Sequence, residues 1–136
     1  MPQMIFVNLP VKDLETTKGF FGKLGFSFNP QFSDENTACL VISDTIFAML
    51  MAEPRFKVFT KKEIADASKT TEVLLALSAE SREKVDELAD AALAAGGSPA
   101  NEPQDLGFMY GRSFQDPDHH IWEVMWMDPA AVDGQG

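Results

Sequence analysis

Residues 4–26 read Met-Ile-Phe-Val-Asn-Leu-Pro-Val-Lys-Asp-Leu-Glu-Thr-Thr-Lys-Gly-Phe-Phe-Gly-Lys-Leu-Gly-Phe, and this stretch predicts a strand followed by a helix. Residues 4–11 are a short apolar run with β-branched and aromatic side chains, which is typical of a strand. Asp13 is placed as a helix N-cap, and apolar residues then recur at helical spacing until Gly25 ends the helix. Three further strands are predicted, at about 26–33, 37–43 and 45–52.

The second half of the chain repeats this order. Residues 72–79 predict a strand, Ser81 can cap the next helix, and Gly96-Gly97 ends that helix. Phe6 and Leu74 occupy equivalent positions in the two first strands. Strands are then predicted at about 98–102, 108–115 and 120–127. The pattern predicts an α+β fold made of two βαβββ modules in tandem.

We expect a single domain spanning residues 1–136, with modules at about 4–52 and 72–127. The linker at 53–71 contains Thr60-Lys61-Lys62-Glu63, whose capping-box spacing predicts a short helix starting there. The tail at 128–136 contains a proline and two glycines and is expected to be loose.

Composition excludes several classes of function. The formal net charge is −10, whereas nucleic acid and anionic membranes require a basic surface. The N-terminus lacks the pattern of a signal peptide, and no apolar run approaches the ~20 residues of a membrane span. We therefore expect a cytoplasmic protein without nucleic-acid or membrane partners. Cys39 is the only cysteine and is expected to be a buried core residue.

A four-stranded sheet with a helix on one face leaves its other face free. Two such sheets side by side can join their free faces into a curved cleft. Concave, partly apolar surfaces are the usual sites for small organic molecules, so the sequence predicts a small-molecule ligand in such a cleft.

Two motifs give the chain a family resemblance. The first is Val-Asn-Leu-Pro-Val-Lys-Asp-Leu-Glu at 7–15, and the second is Phe-Gln-Asp-Pro-Asp-His-His-Ile-Trp-Glu-Val at 114–124. With the internal repeat, they resemble the vicinal oxygen chelate superfamily, which includes glyoxalase I, bleomycin-resistance proteins and extradiol dioxygenases. The chain is most similar to a bacterial subgroup of predicted lactoylglutathione lyases. The resemblance implies the glyoxalase/bleomycin-resistance fold.

The resemblance also implies where a metal would be held, in the first and last strand of each module. The first-strand positions correspond to Phe6 and Leu74, and the last-strand positions correspond to about Ala48 and to Glu123. Only Glu123 has a metal-binding side chain, whereas a catalytic metal generally needs three protein ligands. We therefore expect neither a metal nor another cofactor.

Glu123 is the candidate catalytic or ligand-binding residue. If residues 116–119 form a four-residue turn, Arg112 lies opposite Glu123 in the hairpin. Arg112 would then either hold an anionic or carbonyl-bearing ligand or form a structural ion pair with Glu123. A bulge in the turn would shift the register by one and remove this pairing. A third alternative makes Glu123 a general base with a raised pKa.

Four other residues are candidates for the lining of the cleft. Phe6 and Leu74 take the vacated ligand positions, and Asn8, on the same face as Phe6, either orients a ligand or bonds to a neighbouring strand. Met49 either lines the cleft or fills the core. In the hairpin turn, His119 stands where the family has glycine, so we expect it to have a positive φ.

Three functions remain open at this stage. The first is a metal-free protein that binds a small, partly apolar compound. The second is a lyase, isomerase or dioxygenase that uses Glu123, and the third is a structural dimer with a vestigial cleft. A homodimer is expected in any case, because the sheet edges need covering.

Overall fold

The computed structural model describes residues 2–133, and the chain divides into two units on either side of residue 66. The elements of the first unit are β1 (Ile5–Val11), α1 (Leu14–Lys23), β2 (Ser27–Phe28), β3 (Thr37–Val41), β4 (Ile46–Ala52) and α2 (Glu53–Phe56), with 3-10 turns at Pro30–Phe32 and Lys57–Phe59. In this unit β1 lies parallel to β4, and β3 lies antiparallel to both β4 and β2. The sheet order is β1-β4-β3-β2.

The predicted signals at both ends of α1 are confirmed. The Asp13 carboxylate accepts a hydrogen bond from the Glu15 backbone N–H at 3.0 Å, as an N-cap does. After the helix, Gly25 has a φ of +98°, the left-handed conformation that ends many helices. Phe20 and Phe21 of α1 are buried in the core of this unit.

The elements of the second unit are β5 (Leu74–Ser78), α3 (Arg82–Ala94), β6 (Ser98–Pro99), β7 (Gln104–Asp105), β8 (Met109–Gln115), β9 (Ile121–Met127) and α4 (Pro129–Asp133). This unit has the same strand order as the first, β5-β9-β8-β6, with β7 paired to β8 as well. Ser81 caps α3 by accepting a hydrogen bond from the Lys84 N–H at 3.1 Å. Val85, Ala89 and Val124 form a buried cluster between α3 and the sheet.

The α+β class and the duplicated βαβββ unit are confirmed by this shared strand order. Cys39 is fully buried, as predicted, and burial raises the pKa of its thiol. The predicted single domain remains a prediction. In the predicted loose tail, α4 covers Pro129–Asp133, and 134–136 lie outside the described residues. No helix within residues 2–133 is long and apolar enough to cross a membrane.

The prediction that a helix starts at Thr60 in the linker was wrong. The helix lies at Glu53–Phe56, and no helix starts at Thr60. The Thr60 hydroxyl instead accepts a hydrogen bond from the Lys62 N–H at 3.1 Å, two residues on. Threonine at such a position stabilises a turn as readily as it caps a helix. The capping-box spacing alone therefore does not predict a helix here.

Candidate functional site

Glu123 lies in the middle of β9 and faces away from α3. Its neighbours Trp122 and Val124 are each 1% exposed and point to the α3 side, whereas the Glu123 side chain is half-buried on the other, open face of the sheet. Ala76 of β5 lies beside Glu123 on one side, and Ser113 of β8 lies on the other. Among the described residues, the Glu123 carboxylate has no hydrogen-bond or ion-pair partner.

The predicted pairing of Arg112 with Glu123 is wrong. Arg112 lies opposite Val124, and Ser113 lies opposite Glu123. The Arg112 guanidinium therefore points to the α3 side, where it donates hydrogen bonds to Asp86 at 3.0 Å and Asp90 at 2.8 Å. The ion pairs with these two carboxylates raise the pKa of Arg112, against the effect of burial. The Arg112 guanidinium is therefore not available to pair with Glu123.

The register differs because the turn between β8 and β9 has five residues instead of four. Gln115 pairs with Ile121, which leaves residues 116–120 in the turn. His119 has a φ of +68° there, so its predicted positive φ is confirmed. The extra residue shifts every cross-strand pair of the hairpin by one, and a shift of one moves a side chain to the opposite face.

Asp116, which is not among the site residues predicted from the sequence, fixes this turn. One carboxylate oxygen accepts hydrogen bonds from the backbone N–H groups of Asp118 and His120, at 2.9 and 3.0 Å. The other oxygen accepts a hydrogen bond from the Trp122 indole at 3.0 Å. Burial raises the pKa of Asp116 in spite of these donors. An Asp-Pro dipeptide in a turn is the sequence signal that could have identified it.

The neighbouring His120 forms a second buried contact in the same region. Its side chain is almost inaccessible, and its Nδ1 lies 2.6 Å from a Glu72 carboxylate oxygen. This contact joins the start of β9 to Glu72, which lies two positions before β5. His120 therefore holds β9 in place and does not face the pocket around Glu123.

A pocket of about 170 Å³ opens on the face of the second sheet that carries Glu123. Its lining combines carboxylates, amides and thioethers, all of them from the second unit. Arg112 and Val124 contribute to the lining although both side chains are directed to the α3 side. The lining residues are Asn101, Glu102, Gln104, Met109, Gly111, Arg112, Ser113, Glu123, Val124 and Met125.

A second depression, of about 310 Å³, adjoins this pocket and shares Met125 with it. It is lined mainly by apolar atoms of β5 and of the end of β9, including Ala76, Ala79 and Met127. Leu74, at the start of β5, is 54% exposed and pairs with Ile121. By strand alternation Leu74 lies on the same face as Glu123, as the repeat predicts.

The remaining candidates lie in the first unit. Asn8 of β1 pairs with Met49 of β4, and Phe6 pairs with Phe47, on which its ring stacks with a centroid distance of 5.1 Å. Asn8 and Phe6 are exposed and Met49 is half-buried. The sheet therefore places these three side chains on one face.

The counterpart of Glu123 in the first unit is Met49, not Ala48. Glu123 pairs with Ala76 in the second unit, and Asn8, which is equivalent to Ala76, pairs with Met49 in the first. Ala48, the residue before Met49, is 1% exposed and lies on the opposite face of the sheet. With this register, the ligand positions that the resemblance implies correspond to Phe6, Met49, Leu74 and Glu123.

These four side chains do not fit a divalent catalytic metal. Two of them are hydrocarbons, one is a thioether, and only Glu123 offers an oxygen. In the part of the chain that the structure describes, no three His, Cys, Asp or Glu side chains are grouped to hold a metal ion. A metal site of the superfamily type is not built by these residues.

Arg82, at the first position of α3, holds the loop at the rim of the pocket. Its guanidinium donates two hydrogen bonds to Asp105, at 2.8 and 2.9 Å, and one to the Gly107 carbonyl at 3.0 Å. It also lies 5.1 and 5.2 Å from the ring centroids of Tyr110 and Trp126. The hydrogen bonds from Arg82 and from the Gly107 backbone N–H lower the pKa of Asp105 to about 2. No local sequence pattern predicts this contact, because the partners of Arg82 are 23 or more residues away.

The comparisons with known proteins agree with this fold. Residues 3–43 match the family described as bleomycin resistance protein-like N-terminal. No curated protein matches the chain. Among solved structures, hypothetical protein SA1046 from S. aureus is 27% identical, with a TM-score of 0.78 over 93% of this chain and 94% of that one.

Two further structures extend the same likeness. A glyoxalase/bleomycin resistance protein/dioxygenase family enzyme from Burkholderia phytofirmans is 17% identical, with a TM-score of 0.75 over 93% of this chain and 99% of that one. A bleomycin resistance determinant encoded on the transposon Tn5 is 18% identical, with a TM-score of 0.65 over the same shares. The resemblance to the vicinal oxygen chelate superfamily is thereby confirmed, in the N-terminal sequence and in the glyoxalase/bleomycin-resistance fold.

Proposed function

We propose that this protein binds a small, partly apolar organic molecule on the open face of its second sheet, around Glu123, without a catalytic metal. The proposal rests on the lining of the pocket, in which the unpaired, half-buried carboxylate of Glu123 lies among the thioethers of Met109 and Met125. Pockets that mix a few polar groups with apolar walls are the usual sites for small ligands. Methionine side chains adapt their shape to different ligands.

The enzyme alternative has less support from the side chains. A superfamily lyase or dioxygenase needs a metal that the residues Phe6, Met49 and Leu74 do not hold. Glu123 alone could still act as a base, but within residues 2–133 the pocket lining offers no free arginine to stabilise a developing negative charge. Homodimer formation and a cytoplasmic location remain predictions.

The first experiment measures metal dependence. The protein is purified without chelator, its metal content is determined, and its melting temperature is recorded with Ni²⁺, Zn²⁺, Mn²⁺ or Fe²⁺. We expect less than 0.1 metal per chain, an order-of-magnitude figure for a site with one donor, and no rise in melting temperature at stoichiometric metal. Near-stoichiometric metal and a rise that Glu123→Gln abolishes would contradict the metal-free proposal.

The second part of the experiment tests the pocket itself. The neutral probe 3-phenylpropanol is titrated into ¹⁵N-labelled protein, and amide chemical shifts are followed by NMR. We expect saturable changes at residues 101–104, 109–113 and 123–125. An absence of saturable changes there, for this probe and for its charged analogues, would remove the support for a binding site on this face.

A further inference from the structure

The charges that the pocket around Glu123 leaves available to a ligand are negative. Glu102 and Glu123 supply carboxylates to the pocket, while Asn101 and Gln104 supply neutral amides. Among the described residues, the only cationic side chain in the lining is Arg112, and it is bound by Asp86 and Asp90 on the α3 side of the sheet. The pocket therefore offers a ligand negative charge and hydrogen-bond acceptors, with no available cation.

We propose that the ligand of this pocket is a cation, an ammonium group carried on an apolar body, and that Glu123 is its anchor. The inference rests on the proposed function and adds the chemical class of the ligand. It departs from the anionic or carbonyl-bearing ligand that was one of the two alternatives for Arg112, because the hairpin register places Arg112 on the other face. The adjoining apolar depression, which shares Met125, takes the apolar part of the same molecule.

The position of Glu123 makes it the stronger anchor of the two carboxylates. Glu123 lies on a central strand, held between β5 and β8, whereas Glu102 is exposed in the connection between β6 and β7. A half-buried carboxylate is screened less by water and salt than an exposed one. A side chain on a paired strand also loses less conformational freedom when a ligand binds.

The test compares three probes of nearly the same shape: 3-phenylpropylamine, 3-phenylpropanol and 3-phenylpropanoate. At pH 7 the amine is charged, because the pKa of an alkyl ammonium lies near 10.4. Dissociation constants come from amide chemical shifts of the wild-type protein at low ionic strength. We expect the amine to bind about tenfold more tightly than the alcohol, as one charge-assisted hydrogen bond allows, and the carboxylate to bind most weakly.

Glu123→Gln keeps the shape of the side chain and removes its charge. We expect this variant to bind the amine about tenfold more weakly and the alcohol unchanged. Glu87→Gln on the exposed surface of α3 removes the same charge from the molecule and serves as the matched control, with at most about a twofold effect on the amine. If Glu123→Gln did not fold, the ranking of the three probes on the wild-type protein would still decide the question.

The outcomes separate the two proposals. Tightest binding by the carboxylate, or equal binding by all three probes at this pocket, overturns the cationic ligand and leaves the binding function in place. Equal weakening by Glu123→Gln and Glu87→Gln overturns the anchoring role of Glu123. Saturable binding by none of the probes overturns the proposed function itself.

Discussion

Asp116 is the residue on which the position of Glu123 depends. Its carboxylate accepts three hydrogen bonds in a turn whose length sets the register of β8 and β9. We expect Asp116→Ala to lower the free energy of unfolding by about 2–3 kcal/mol, since three buried or half-buried donors lose their acceptor. The loss is limited to this range because the buried carboxylate is itself costly, as its raised pKa indicates. Urea unfolding at pH 7 measures the change.

Asp44→Ala is the matched control for this substitution. Asp44 lies in the exposed turn between β3 and β4, and its removal should change stability by no more than about 0.5 kcal/mol. Equal effects of the two substitutions would show that the Asp116 hydrogen bonds contribute little to stability.

Among the elements, α3 and β7 are joined by the ion pair between Arg82 and Asp105. We predict that Arg82→Gln raises the pKa of Asp105 from about 2 toward the ordinary aspartate value of about 3.9. Because folding lowers this pKa, the stabilisation from the pair is complete above about pH 3.9 and is lost as the pH falls toward 2. Carboxyl ¹³C NMR titration of Asp105 measures the shift.

Arg82→Lys provides a graded control in the same titration. Lysine keeps the charge but lacks the planar fork that bonds both carboxylate oxygens, so the Asp105 pKa should fall between the values in the wild type and in Arg82→Gln. If Asp105 still titrated near 2 in Arg82→Gln, its pKa would be set by the Gly107 N–H, which also donates to it.

The sequence predicts elements better than it predicts their register. Asp13, Gly25 and Ser81 are local signals, so α1 and α3 could be located from a few neighbouring residues. The succession of strands and helices along the chain follows from the repeat. Asp116 and the left-handed His119 hold the 116–120 turn, but a positive φ at His119 does not by itself distinguish a four-residue turn from a five-residue one. One residue in that turn decides whether Arg112 faces Glu123 or α3, so the charge of the site could not be predicted from the sequence.

For the whole molecule, the net charge of −10 acts on both stability and binding. Like charges repel in the folded chain, and salt at ~0.15 M screens them beyond about 8 Å. We therefore expect the melting temperature to rise by about 2–5 °C between ~10 and ~150 mM NaCl, as roughly 1 kcal/mol of repulsion is relieved. Differential scanning calorimetry measures the shift.

Glu35→Lys reduces the net charge to about −8 and isolates this effect. Glu35 is exposed between β2 and β3, so the substitution should flatten the salt dependence of the melting temperature without disturbing the core.

The negative charge of the molecule also attracts a cationic ligand, and salt should therefore weaken the binding of 3-phenylpropylamine while it stabilises the fold. A melting temperature that falls with salt would mean that attractive pairs, such as Arg82 with Asp105, outweigh the repulsion. Amine binding that strengthens with salt would mean that apolar contact, and not charge, determines affinity at the Glu123 pocket.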